Sequence, residues 1–131
     1  MIITHSDAMR AVHLVRQELE SRGAGAAVAV VDAHGELLAF LRTDGCRLSS
    51  ITIAINKAFT AAREQITTAE LGRRSREEGF PLSNFGDPRF VSWGGGVPVD
   101  RDGATVGAIG VSGLPEEVDV ELATMAAVSR Q

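Results

Sequence analysis

The sequence predicts an α/β (α+β) fold, with a central, mostly antiparallel five-stranded sheet and helices packed against it. Three observations predict it. A short apolar, β-branched run and a second apolar run flank a tight turn at Ala33-His34-Gly35, which reads as an antiparallel hairpin. Three segments carry apolar residues at helical spacing, and a fourth, polar one opens on a capping pattern. Their order is helix, hairpin, helix, short helix, strands, helix, which lacks the strand–helix alternation of a parallel sheet.

The elements follow in chain order. Thr4 with Asp7 three residues on is an N-cap pattern, and Ala8, Val12, Val15 and Leu19 then recur on one helical face up to Gly23. Ala26 to Asp32 is a buried strand and Glu36 to Arg42 the returning one. After a loop over Thr43 to Leu48, Ser49 or Ser50 caps a helix running to about Gln65, with Ile51, Ile55, Ala58 and Ala62 on one face. Thr67 and Glu70 open a short polar helix that ends near Gly79. Phe80 to Arg89, with Pro81, Gly86 and Pro88, reads as an ordered irregular loop. Phe90 to Trp93, Val97 to Val99 and Ala104 to Val111 supply three more strands, the last two joined by a turn at Asp100-Arg101-Asp102-Gly103. Pro115 starts the last helix, with Glu116 and Glu117 in its first turn and Val118, Leu122 and Met125 on its buried face.

The 131 residues read as one domain, 1–131, with no repeats or linkers. A net charge of -4 argues against a nucleic-acid partner, which needs a dense basic patch. No run approaches the roughly 20 apolar residues of a membrane span, and the N-terminus lacks the apolar core of a signal peptide. The expected address is therefore cytoplasmic and not membrane-bound. Cys46 is alone, so it has no internal disulfide partner. Arg47 beside it is a reason to expect a lowered thiol pKa, although a lone loop cysteine is usually incidental.

Lys57 is the only lysine among thirteen basic residues. Coding bias toward arginine explains that count; a need for an ammonium at that position explains it too. Arg42, Asp44, Ser49, Ser50, Asn56 and Lys57 fall where they can line one end of the sheet, and the helix start at Ser49 suits a carboxylate. Gly94, Gly95 and Gly96 allow a backbone to approach a ligand or to bulge, and their N–H groups suit an anion. Phe85, Phe90 and Trp93 surround that run and can stack on a planar ligand or pack the loop. His5, His13 and His34 lack metal spacing, and with no cysteine pair or carboxylate cluster no metal site is expected.

Three blocks carry a family resemblance: VAVVDAHGELLAFLRTDG (28–45), SITIAINKAFTAA (50–62) and WGGGVPVDRDGATVGAIGVSG (93–113). In order and spacing they resemble the HbpS-like and GlcG family of haem-degrading or haem-binding domains, which is similar to the C-terminal domain of PduO proteins. The resemblance runs from about Ala8 to Ala127. It implies an α/β sandwich with a central antiparallel sheet, related to profilin-like architecture, and a homo-oligomer. The family pattern falls on Asp32, Gly35, Arg42, Asp44, Gly45, Ser49, Lys57, Ala58, Gly95, Gly96, Pro98, Gly107, Gly110, Ser112 and Gly113.

Three readings of function stay open. In the first, the chain binds a small molecule, either haem or a similar planar carboxylated ligand, with Ser49, Asn56, Phe85, Arg89, Trp93, Gly94, Gly95 and Gly96 at the site and His13 or His34 as axial candidates. In the second, it is a metal-independent enzyme acting on a small carboxylic acid, with Lys57 and Arg42 catalytic, Arg89 gripping the carboxylate and the glycine run as an oxyanion site. In the third, it is an accessory subunit whose function is its oligomeric surface.

Overall fold

The computed structural model describes residues 2–129. Its elements are α1 (His5–Arg22), β1 (Ala27–Asp32), β2 (Leu37–Arg42), α2 (Ser50–Glu64), α3 (Thr68–Glu78), a 3₁₀ turn (Leu82–Phe85), β3 (Gly96–Arg101), β4 (Ala104–Ser112) and α4 (Glu116–Val128). Every strand pairing is antiparallel and the sheet order is β2-β1-β4-β3. The sheet therefore has four strands, not five. Phe90 to Trp93 has the composition of a strand, but its backbone is held by a side chain. The Thr60 hydroxyl accepts from the Val91 N–H at 3.1 Å and donates to the Arg89 carbonyl at 3.0 Å. A segment pinned this way to α2 runs as a loop past the sheet edge.

Helix ends follow the local signals. Thr4 and Asp7 form a reciprocal capping box on α1, and Gly23 closes it in the left-handed conformation. Thr67 caps α3 through the Glu70 N–H, and Gly79 closes that helix in the same way. Three acids in these and neighbouring turns sit below their ordinary pKa. Asp7 is lowered to about 2 first by the Thr4 backbone N–H, Glu70 to about 2 first by Arg73, and Asp87 to about 2 first by Arg89. Depressed carboxyls contribute stability above their unfolded values and lose it as pH falls through the folded ones. Urea midpoints measured downward from neutral pH should therefore hold until about pH 4 and then fall progressively to about pH 2. Asp7→Asn, Glu70→Gln and Asp87→Asn together should flatten that decline.

The two sheet faces are packed differently. Val28, Val30, Ile109 and Val111 point toward α1 and α4, where they meet Val12, Val15, Leu19, Leu122 and Ala123. Fully burying a leucine such as Leu19 or Leu122 contributes about 1.5–3 kcal/mol. The opposite face presents Ala27, Ala29, Val31 and Ala108 to Ala54, Ala58, Ala61 and Ala62 of α2. With mostly alanines between them, α2 and the sheet approach backbone to backbone. A Cβ on Gly110 would lie 2.1 Å from the Ala54 carbonyl oxygen and 2.7 Å from the Ala58 nitrogen. α2 is thus seated on the sheet with no spare layer, which fixes its first turn at the end of the sheet where β4 stops and β3 begins.

A cleft between two helix starts

Four ends meet there: the first turns of α2 and α4, the last residue of β4 and the loop leading into β3. They enclose a cleft of about 660 Å³ lined by Arg47, Ser49, Ser50, Ile53, Lys57, Trp93 and the stretch Ser112 to Glu116, with Asp119. That volume lies within the range of small-molecule sites. Among the described residues there is also a hollow between α1 and β3, beside Asp7 and Arg101. It holds about 30 Å³, room for little more than a water molecule.

The floor is polar and buried. Lys57 shares the α2 face of Ala54, Ala58 and Ala61, and is only 2% exposed. Its ammonium donates to the Val111 carbonyl at 2.9 Å and to Asp119 Oδ2 at 3.1 Å. Asp119, 3% exposed, sits in the buried face of α4 with Leu122, Ala123 and Ala126. Its Oδ1 accepts from the Leu114 N–H at 3.2 Å, and the Gly113 N–H donates to the same carboxylate. Burial pushes the Asp119 carboxyl up, and the Lys57 charge and these N–H groups oppose the rise. The ion pair joins helices on opposite faces of the sheet. It passes beside Gly95, whose φ is +127° and where a Cβ would stand 2.8 Å from the Lys57 Nζ. Glycine is required there both for the backbone angle and for the passage of the lysine.

The wall of the cleft is the Trp93–Gly94 turn. The Gly94 N–H donates to Glu116 Oε2 at 2.7 Å and the Gly96 N–H to Thr68 Oγ1 at 2.8 Å, so both of these glycine donors are taken. Trp93 itself is 63% exposed.

The structure brings Ser49, Lys57 and Trp93 together at the cleft, with Gly94, Gly95 and Gly96 buried behind them. Arg42 is exposed at the end of β2, and neither it nor Asn56 is among the lining residues. Phe85 stacks on Phe90 at 4.3 Å between ring centroids, and the Arg89 guanidinium lies 3.8 Å over Phe59 while pairing with Asp87. Both hold the loop onto α2 and do not reach the cleft. His13 is exposed on α1 and His34 at the hairpin tip, each away from it. Half-buried Cys46 runs against the expectation of a lowered thiol pKa. Burial pushes its thiol up, and nearby Arg42 only opposes that in part.

Asp119, Glu116 and Ser112 were not picked out as site residues from the sequence. The available signal was Asp119 at the spacing of Leu122, Ala123 and Ala126. An acid at a buried helical position, in a chain with a lone lysine at another, points to a buried pair.

The family model for haem-degrading, HbpS-like proteins matches residues 3–128. The protein GlcG of Escherichia coli (strain K12) is 35% identical over 118 residues, spanning 86% of this chain and 82% of GlcG. A double mutant of Streptomyces reticuli HbpS superposes with a TM-score of 0.89 at 32% identity, covering 99% of this chain and 89% of the other. The PduOC:heme complex superposes with a TM-score of 0.89 at 26% identity, covering 97% and 94%. With the family model spanning nearly the whole length and the same fold in its solved relatives, the chain belongs to the HbpS-like family.

Proposed function

We propose that this chain is a ligand-binding domain whose cleft receives a planar molecule carrying a carboxylate. The observation that carries this reading is Trp93. Its indole is largely in water at the mouth of a concave site, beside the exposed guanidinium-bearing Arg47. A large ring left in water beside a cavity is a stacking surface. The start of α2, whose first turn holds no acid and whose Ser49 makes no side-chain cap, adds positive potential to the cleft; α4 opens with Glu116, Glu117 and Asp119, which offset its own dipole.

Haem is a planar dicarboxylate, and the PduOC:heme complex makes it the first molecule to test. An axially ligated haem does not fit this cleft. Its lining offers no histidine, cysteine, methionine or tyrosine for the iron. Binding in the cleft therefore uses the ring face and the carboxylates. The enzyme reading is less well supported: Lys57 is held by Asp119 and Val111, and the Gly94 and Gly96 N–H groups are already bonded, so no two N–H groups of the glycine run are left to share an oxyanion.

Trp93 is the only tryptophan, so its fluorescence reports this site alone. Haemin and metal-free protoporphyrin should quench it with similar affinity, and Trp93→Ala should weaken binding about tenfold, read by porphyrin absorbance. His13→Ala and His34→Ala should leave both titrations unchanged. Haemin binding abolished by either histidine change would move the site out of the cleft and overturn the reading.

A further inference from the structure

The floor of the cleft holds hydrogen-bond donors that the protein does not use. An ammonium has three N–H groups, and Lys57 spends two of them on Val111 and Asp119. Ser50 and Ser112 line the same floor at 3% and 5% exposure. Neither hydroxyl is bonded to another described residue, and no buried side-chain oxygen is left sealed off without a partner. Their remaining open surface therefore faces the cleft. Of the two carboxylates lining the cleft, Asp119 at the floor is already engaged by Lys57, Leu114 and Gly113, and Glu116 at the wall by the Gly94 N–H. Donors are in surplus and these acceptors are engaged, so the complementary group is an acceptor with negative charge.

We infer that this floor is a carboxylate subsite in which the Ser50 and Ser112 hydroxyls donate to the ligand's oxygens and Lys57 supplies its third N–H. Ser50 is also the first residue of α2, so the helix dipole favours the same charge. The inference rests on the cleft being a binding site and deepens that reading: it fixes which end of the ligand enters first. The carboxylate goes down to the serines and the ring stays at the rim with Trp93. A simple aromatic acid has both parts.

The test is calorimetric titration with benzoate and with its neutral isostere benzamide. Benzoate should bind saturably, and benzamide about tenfold more weakly or worse, as expected for losing a charged acceptor. The Ser50→Ala/Ser112→Ala double variant should lose about tenfold or more in benzoate affinity at unchanged Tm, with each single variant in between. Equal affinity for acid and amide, no benzoate binding, or a double variant that binds as the parent would overturn the subsite. The porphyrin titrations separate the two ideas. Trp93 quenching that persists without benzoate binding removes the subsite alone. Benzoate binding without porphyrin quenching removes the planar-ring reading alone.

Discussion

Lys57→Met should destabilise the fold by about 3–5 kcal/mol near neutral pH, the usual consequence of stranding one partner of a buried ion pair. Methionine fills the same volume, so the loss is electrostatic. Asp119 keeps the N–H groups of Leu114 and Gly113 but loses the ammonium 3.1 Å away. Burial already pushes this carboxyl up, and removing the opposing charge pushes it further. A carboxyl raised in the folded state favours folding below its unfolded pKa and disfavours it as pH rises through the folded one. The deficit relative to the parent should therefore be largest near pH 7 and shrink toward about pH 4, where the variant's Asp119 is protonated. Adding Asp119→Leu should recover most of the loss at neutral pH, because no lone charge remains. Urea unfolding at both pH values checks this. A single variant within about 1 kcal/mol of the parent at neutral pH would show that water reaches the pair freely.

Gly110→Ala should cost about 3 kcal/mol, the upper end of overpacking effects, with a fall in Tm of roughly 10 °C. The added methyl would sit 2.1 Å from the Ala54 carbonyl oxygen and 2.7 Å from the Ala58 nitrogen. Both obstacles are backbone, so no rotamer change relieves them. α2 must lift from the sheet, opening the alanine contacts at Ala54, Ala58 and Ala61. Ala54→Gly should therefore fail to rescue Gly110→Ala, since it removes a side chain that is not in the way. Rescue by Ala54→Gly in a thermal melt would show that the helix rests on side chains rather than on main chain.

Local signals made most of the fold legible. Thr4, Gly23, Thr67 and Gly79 end helices where their capping chemistry says they should. The hairpin follows from a β-branched run and a second apolar run around a turn in which Gly35 takes positive φ. The error at Phe90 to Trp93 has a tertiary cause. Nothing near those residues says that Thr60, thirty positions earlier, will take their backbone groups.

The candidate site was legible only in part, for the same reason. Ser49, Lys57 and Trp93 stood out by type and neighbourhood. Arg42, Phe85 and Arg89 stood out equally, yet strand ends and aromatic stacking turn them elsewhere. Glu116 was visible as a helix-start acid, but its bond to Gly94 across the cleft depends on how α4 docks. Ser112 is an ordinary strand residue until the fold places it beside Ser50.

The burial of Lys57 also determines what the outside of the protein lacks. Apart from three histidines every other basic side chain is a guanidinium, and the one lysine is held at the cleft floor beneath Gly95, 2% exposed. The folded surface offers no lysine amine to acylating enzymes, ubiquitin conjugation or amine-directed crosslinkers. Any such mark found on Lys57 records a moment when its ion pair with Asp119 had opened.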